Sequence, residues 1–319
     1  MRNTLMQQIY KLAAEDAVTA MPISTISVVG VAAGYRGKPV IRDVDVEFRG
    51  PGVHAIIGPN GSGKTTLLRV ITGVIRPYRG DVLFDGRSIH REPEVKRLIG
   101  YMPAEIGLLP RLTLYENLET YLEILGYDRG FLEERLEALG RVLPLDDILH
   151  RMVGAMSTGQ RVRAGLVRTL IHDPEVVVLD EPTRGLDIVL ARQVREMLQD
   201  IARDRMVIMT THLAHELLEL SSHVTVMKSG RVLFSGSIDE FRRSLADRPV
   251  TLHIRTATPI DDVLENLGVE FQRKAYSYYI VRLPSLNEAP RLLTELPRHT
   301  GILELREDLD ELVKALYEG

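Results

Sequence analysis

The chain has 319 residues, 45% of them hydrophobic and 26% charged, with a formal net charge of −4 at pH 7; this is enough for one large domain plus one small one, or two of similar size, and it excludes disordered and collagen-like architectures. From Pro249 onward there are 8 basic and 12 acidic residues, so the last segment carries the whole acidic excess, and without a basic stripe no nucleic-acid partner is expected. No apolar run approaches the roughly 18 to 20 residues that cross a bilayer, and zero cysteines excludes disulfides and thiolate metal sites.

Residues 1–24 open the chain. Leu5, Ile9, Leu12 and Ala13 recur at helical spacing and predict a short amphipathic helix. Gln7, Gln8, Lys11, Glu15 and Asp16 interrupt it, so it does not read as a signal peptide. Such a helix either packs on its own domain or meets a membrane or partner.

Residues 25–244 alternate short β-branched runs with longer helical ones, the pattern of a parallel sheet covered on both faces. An apolar strand closing at Ile56 and Ile57 leads into Gly58, Pro59, Asn60, Gly61, Ser62, Gly63, Lys64 and Thr65, which match G-x-x-x-x-G-K-[ST], and a helical run from Thr66 to Ile71 follows. The glycines let backbone N–H groups wrap a phosphate, and the helix N-terminus adds partial positive charge. Lys64 is expected to reach the β- and γ-phosphates, and the Thr65 hydroxyl to ligate Mg²⁺. Thr113–Leu125 and Asp128–Leu143, rich in Leu and Glu, predict a helical subdomain over about 104–172.

A buried strand, Val176–Leu179, then ends in Asp180 and Glu181. Strand ends are where ligands sit in open α/β sheets. The pair either caps the turn before Pro182 or, beside a phosphate loop, does chemistry: Asp180 holds Mg²⁺ and Glu181 is the general base for the attacking water. Another apolar run, Met206–Met209, precedes Thr210, Thr211 and His212. His212 and His215 have the spacing of a metal pair but show no third ligand. His54 reads as a structural residue on the strand before the phosphate loop.

After Ser244 the periodicity changes. Strands are predicted at Val250–Ile254, Glu270–Arg273, Tyr276–Arg282 and Ile302–Leu305, with helices at Ile260–Leu267, Asn287–Leu296 and Leu309–Tyr317. The order β-α-β-β-α-β is the split βαβ, or ferredoxin-like, arrangement, and it defines a C-terminal α+β domain over 249–319.

Taken together, these segments resemble the nucleotide-binding subunit of ATP-binding cassette (ABC) transporters over about Ser27–Ser244. Met156-Ser157-Thr158-Gly159-Gln160 resembles the family signature, with Thr158 where glycine is commonest. Gly185-Leu186-Asp187 resembles the loop that crosses to the partner subunit, His212 the switch histidine, and Tyr35 the aromatic residue that stacks on adenine. Singly each has a plainer reading, as a helix cap, a surface histidine or a packed tyrosine. The resemblance implies a P-loop NTPase fold of the ABC type that binds and hydrolyses ATP with Mg²⁺. Tyr35, Gly58 through Thr66, Ser157, Gly159 and Asp187 would bind nucleotide, Thr65 and Asp180 the metal, and Glu181, His212 and Lys64 would be catalytic.

The resemblance also implies head-to-tail pairing with a second copy or a homologous ATPase subunit. A separate transmembrane permease would dock near Pro103–Leu125, with the protein peripheral on the cytoplasmic face of the membrane. The C-terminal domain resembles the extension of export-type members, which favours export. It would dimerise, regulate, contact the permease or simply pack. Lys64 and Asp180 are 116 positions apart, too close for the coiled coil of chromosome ATPases. A single phosphate loop argues against ribosome-acting members, which usually carry two cassettes; a soluble ABC-type ATPase acting on the ribosome or another complex is the alternative. One departure stands out: the family glutamine after Gly-Tyr-x-Pro is replaced by Ala104, followed by Glu105. Alanine cannot ligate a metal or its water, so a weakened Mg²⁺ requirement is expected, one that restoring glutamine at 104 would reverse.

Overall fold

The computed structural model describes residues 23–211, 214–245, 248–295 and 302–307. The helix expected at the N-terminus and the one expected over Leu309–Tyr317 lie outside the described residues. Two compact units account for the rest: one runs to Thr211 and includes Leu220–Ser235, and the other comprises 214–219 and the residues from Gly236 on.

The first unit opens with an antiparallel hairpin, β1 (Thr25–Tyr35) and β2 (Lys38–Arg49). Ile26 and Val28 on β1, and Val44, Val46 and Phe48 on β2, alternate with exposed or half-buried residues, the period-2 signature of a strand with one face in a core. Next come β3 (Gly52–Ile57), α1 (Lys64–Ile71), β4 (Arg79–Phe84), β5 (Arg87–Ser88) and β6 (Ile99–Met102). The sheet β2-β1-β4-β5 is antiparallel throughout.

This sheet supplies part of the cover expected on the parallel strands. Ile26, Val28, Phe48, Val82 and Phe84 share one core cluster with Leu67, Leu68 and Ile71 of α1 and with Ile56, Val178 and Ile208 of the parallel sheet. One face of that sheet is therefore covered by an antiparallel sheet together with α1. Antiparallel strands need only one apolar face, so their alternation is weaker than the continuous apolar runs beside them.

The helical subdomain contributes α2 (Leu114–Leu125), α3 (Arg129–Gly140) and α4 (Thr158–Leu170). A Thr113–Glu116 capping box starts α2, and Asp128 caps α3, each satisfying N–H groups that the first turn leaves open. The unit's remaining elements are β7 (Val176–Asp180), α5 (Ile188–Ile201), β8 (Met206–Thr211), β9 (His223–Lys228) and β10 (Arg231–Ser237); α6 (Ala214–Leu220), between β8 and β9 in the sequence, belongs to the second unit except for its last residue. Six strands form the order β10-β9-β3-β8-β7-β6, and the pairs β9/β3, β3/β8, β8/β7 and β7/β6 are parallel. All five residues of β7 and all six of β8 are buried, as strands covered on both faces require.

His54 on β3 is only partly the satisfied structural residue expected. Its Nε2 lies 3.4 Å from the Gly50 carbonyl, while its Nδ1 is buried without a partner. The ring stacks on His223 at 4.9 Å.

In the second unit α7 (Ile238–Leu245) is followed by β11 (Val250–Thr256), α8 (Asp261–Leu267), β12 (Glu270–Ala275), β13 (Tyr278–Leu283), α9 (Ala289–Glu295) and β14 (Ile302–Glu307). The strand order β12-β13-β11-β14 is antiparallel at every pairing, which is the ferredoxin-like topology expected. Leu252, Ile254, Leu264, Tyr279, Val281 and Leu283 are buried. The Tyr279 hydroxyl donates to Asp261 Oδ2 at 2.7 Å and accepts from the Ile260 N–H at 3.0 Å, so the largest buried ring of the unit keeps its polar end satisfied.

Candidate active site

The phosphate loop joins β3 to α1 because its glycines adopt backbone no other residue fits. A Cβ on Gly58 would stand 2.3 Å from the Met227 carbonyl oxygen and 2.6 Å from Ser62 Oγ. Gly63, the residue before α1, has φ 105°, and a Cβ there would meet Ile41 Cγ2 at 2.5 Å. No side chain caps α1, and its first turn holds no acid. Its leading N–H groups are thus left to an anion.

Lys64 is buried and arches back over the loop, donating to the Gly58 carbonyl at 2.7 Å and to that of Pro59 at 3.3 Å. Burial lowers its pKa, with Glu181 and then Asp180 opposing the shift. The lysine therefore lies within electrostatic reach of both acids. Ser62 Oγ is buried without a partner, and Thr65 is half-buried on the first turn of α1.

Asp180 closes β7 and is 1% exposed. Its Oδ1 accepts the Thr210 hydroxyl at 2.6 Å, while Oδ2 is buried with no partner. The same Thr210 oxygen accepts the Glu181 N–H at 2.9 Å. Thr210 thus orients one carboxylate and anchors the backbone of the next residue, a role with no signal in the local run of residues. The parallel register that opposes Asp180 to Thr210 creates it. Glu181 has φ 52°, a left-handed conformation costing on the order of 1–3 kcal/mol, and its carboxylate pairs with Arg184 at 2.8 Å.

A buried carboxylate oxygen lacking a partner and a threonine hydroxyl on the first turn of the phosphate helix are hard-oxygen donors of the kind that suits Mg²⁺. Among the described residues no cluster of three or more His, Cys, Asp or Glu offers a metal cage. A metal here would complete its shell with phosphate and water oxygens. Ala104 and Glu105 are both exposed.

The other predicted residues lie on separate elements. Ser157 caps α4 in a reciprocal box: its Oγ accepts the Gln160 N–H at 3.3 Å, and its N–H donates to Gln160 Oε1 at 3.0 Å. Asp187 caps α5 by accepting the N–H groups of Val189 and Leu190 at 3.0 and 2.9 Å. A Cβ on Gly159 would stand 2.9 Å from Leu190 Cδ2, and one on Gly185 would stand 3.6 Å from Thr158 Cγ2, so the signature turn and the 185–187 loop lie together. No hydrogen bond among the described residues joins Ser157 or Gly159 to the phosphate loop. Tyr35 ends β1, half out in solvent, and its hydroxyl accepts from Arg69 on α1 at 2.8 Å. His212 lies outside the described residues.

Comparison with known proteins adds four observations. The family described as "ABC transporter" matches residues 41–184. "ABC transporter ATP-binding protein NatA" of Bacillus subtilis (strain 168) is 35% identical over 207 residues, covering 64% of this chain and 84% of that protein. "Molybdate/tungstate import ATP-binding protein WtpC" of Pyrococcus abyssi (strain GE5 / Orsay) is 30% identical, covering 72% and 69%. Among solved structures, "Structure of ATP binding subunit of ABC transporter" superposes with a TM-score of 0.62 at 28% identity, over 69% of this chain and 93% of that one.

Proposed function

The chain belongs to the family of ABC transporter ATP-binding proteins, and from that premise we propose how its residues make it the ATP-hydrolysing subunit of a transporter. ATP enters the loop from Gly58 to Thr66, where Lys64 exchanges the loop carbonyls for the β- and γ-phosphate oxygens and the open N–H groups of α1 receive the charge. Tyr35 stacks on the base. Thr65 and Asp180 hold Mg²⁺, which supplies charge neutralisation at the phosphates. Glu181 accepts the proton of the attacking water, steadied by His212.

The signature helix completes the site from a second copy or a homologous subunit. Ser157 and the Gly159 N–H face the γ-phosphate across the interface, with Asp187 carrying the crossing loop. The exposure of Ser157 and Thr158 at the start of α4 supports this reading, since the capping box engages the Gln160 N–H and leaves this helix N-terminus facing solvent. Closure then needs the γ-phosphate, and hydrolysis releases it, which is the step a membrane partner feels.

Among the described residues no helix is long and apolar enough to cross a membrane, so we assign the pathway to a separate permease that docks near 103–125, with this subunit peripheral on the cytoplasmic face. We place the cassette over 25–244 and an accessory domain over 249–319. The small domain after the cassette supports export, and the import named for the WtpC relative supports the opposite direction; nucleotide-driven flux in vesicles of known orientation decides between them. The observation that carries the catalytic reading is the acid pair at the end of β7, with an unpartnered Asp180 oxygen beside Glu181. Glu181→Gln is expected to keep ATP binding, slow hydrolysis at least about 10²-fold and trap an ATP-bound dimer on size exclusion. Near-normal turnover would remove Glu181 as the base.

A further inference from the structure

Arg69 sits on α1, five positions after Lys64, in the last turn of the helix. A cation there already suits the helix dipole, and the sequence offers nothing more specific for it. The structure gives it a particular partner. Its Nη1 donates to the Tyr35 hydroxyl at 2.8 Å, and no ion pair links it to a carboxylate among the described residues. The guanidinium carbon is 5.8 Å from the Tyr35 ring centre. The guanidinium thus lies over the ring as well as on its hydroxyl.

Tyr35 is the last residue of β1 and 39% exposed, and the turn that follows is built from Arg36 and Gly37 with φ 50° and 77°. A half-exposed tyrosine at a hairpin end retains rotamer freedom unless the far end of its ring is held, and ordering it upon binding would cost affinity. On its other side, Arg69 lies close enough to the buried, unpartnered Tyr101 hydroxyl to oppose the rise in that group's pKa. The guanidinium thus interacts with two phenols.

We propose that Arg69 is a positioning residue for nucleotide-base recognition, holding Tyr35 by its hydroxyl so that a ring face is already set for the base of a nucleotide whose phosphates lie in the Gly58–Thr65 loop. The inference rests on the reading of Tyr35 as the base-stacking residue. It ties the base site to the phosphate site through one helix: Lys64 opens α1 at the triphosphate, and Arg69 aims the aromatic wall from its last turn. Stacking uses a ring face that every base presents, so the effect of Arg69 is indifferent to which base is bound.

The test is titration calorimetry on the full chain with ATP, GTP and inorganic tripolyphosphate, which has no base. Arg69→Gln and Tyr35→Phe are each expected to weaken ATP and GTP equally, by about tenfold for loss of one charge-assisted hydrogen bond, and to leave tripolyphosphate unchanged. The double variant is expected to be no weaker than either single one, and Arg69→Lys to recover part of the loss. In steady state KM rises while kcat at saturating ATP stays the same. Equal weakening of tripolyphosphate and ATP would overturn the inference, since Arg69 would then serve the phosphate helix. Additive losses in the double variant, or no effect of Arg69→Gln, would overturn it too. Tyr35→Ala separates the two claims. If it weakens ATP while Arg69→Gln does not, only the role of Arg69 falls; if it leaves ATP binding intact, the base-stacking reading falls as well.

Discussion

The two units of this protein treat buried polar groups in opposite ways. In the cassette unit Ser62 Oγ, Tyr101 Oη and Asp180 Oδ2 are buried without partners, and Glu181 is held in a left-handed conformation. Among the described residues of the C-terminal unit no buried side-chain polar atom lacks a partner, and no residue other than glycine has positive φ. There, Tyr279 is bonded to Asp261 and Ile260, and the Thr256 hydroxyl to the Thr258 carbonyl at 2.7 Å. An unpaired buried group costs on the order of 1–3 kcal/mol, so a fold keeps one where something else will pair with it. In the cassette Ser62 and Asp180 belong to the proposed triphosphate site, while His54, His90, Tyr101 and Ser221 also hold unpartnered buried atoms. The C-terminal unit is complete as it stands.

The sharpest way to break this contrast is Lys64→Ala. Removing this buried ammonium, which lies within reach of both acids, is expected to reduce ATP turnover by about 10²-fold or more, while thermal unfolding of the C-terminal unit stays the same. A variant that kept its turnover would mean that the cassette's unpaired groups do not face a phosphate.

Acid stability comes next. His54 and His172 are buried in the cassette with pKa values lowered to about 4, chiefly by burial. The unfolded chain therefore takes up protons first as the pH falls, and the stability these residues carry is full above about 6.5 and is lost between 6.5 and 4. Each contributes on the order of 3 kcal/mol. Denaturant melts at pH 7 and pH 5 are expected to show the cassette transition weakening. His172→Gln is expected to reduce that pH dependence, and an unchanged pH slope would show that the imidazole is not buried neutral.

Thr210→Val addresses the hinge of the acid pair. It leaves Asp180 Oδ1 and the Glu181 N–H unpaired, and about 1–3 kcal/mol of stability should go with them, together with roughly tenfold of turnover as Glu181 loses its anchor. Turnover falling without any stability loss would place Thr210 on the nucleotide and not on the acids. The smallest effect is expected in the other unit: Tyr279→Phe removes one satisfied hydrogen-bonding group, costs about 1 kcal/mol in a melt and leaves ATPase activity unaltered. A large activity loss there would show that the complete-looking unit takes part in catalysis.

Much of the site was legible because its chemistry is written in consecutive residues. Gly58 to Thr65 encode a turn whose glycines alone fit, Ser157 to Gln160 encode a capping box, and Val176 to Glu181 encode a buried strand that ends in acids. The ferredoxin-like unit was legible for the same reason, since its strand and helix periodicities alternate in order. The antiparallel sheet β2-β1-β4-β5 was not, because its half-buried strands carry a fainter pattern than the parallel strands they pack on. Nor were the Arg69 bond to Tyr35 and the Thr210 bonds to the acid pair, which join residues about thirty positions apart.

By itself the sequence determined the phosphate loop, the acidic strand end, the helix caps and the order of elements in the C-terminal unit, because each depends on backbone conformations and caps chosen within a few neighbouring residues. Only the tertiary structure decided that Thr210 would brace Asp180 and Glu181, that Lys64 would be buried between loop carbonyls and acids, and that Arg69 would hold Tyr35. Those contacts depend on strand register and on how helix α1 lies against two sheets, and register is set by the packing of whole faces rather than by any local run of residues.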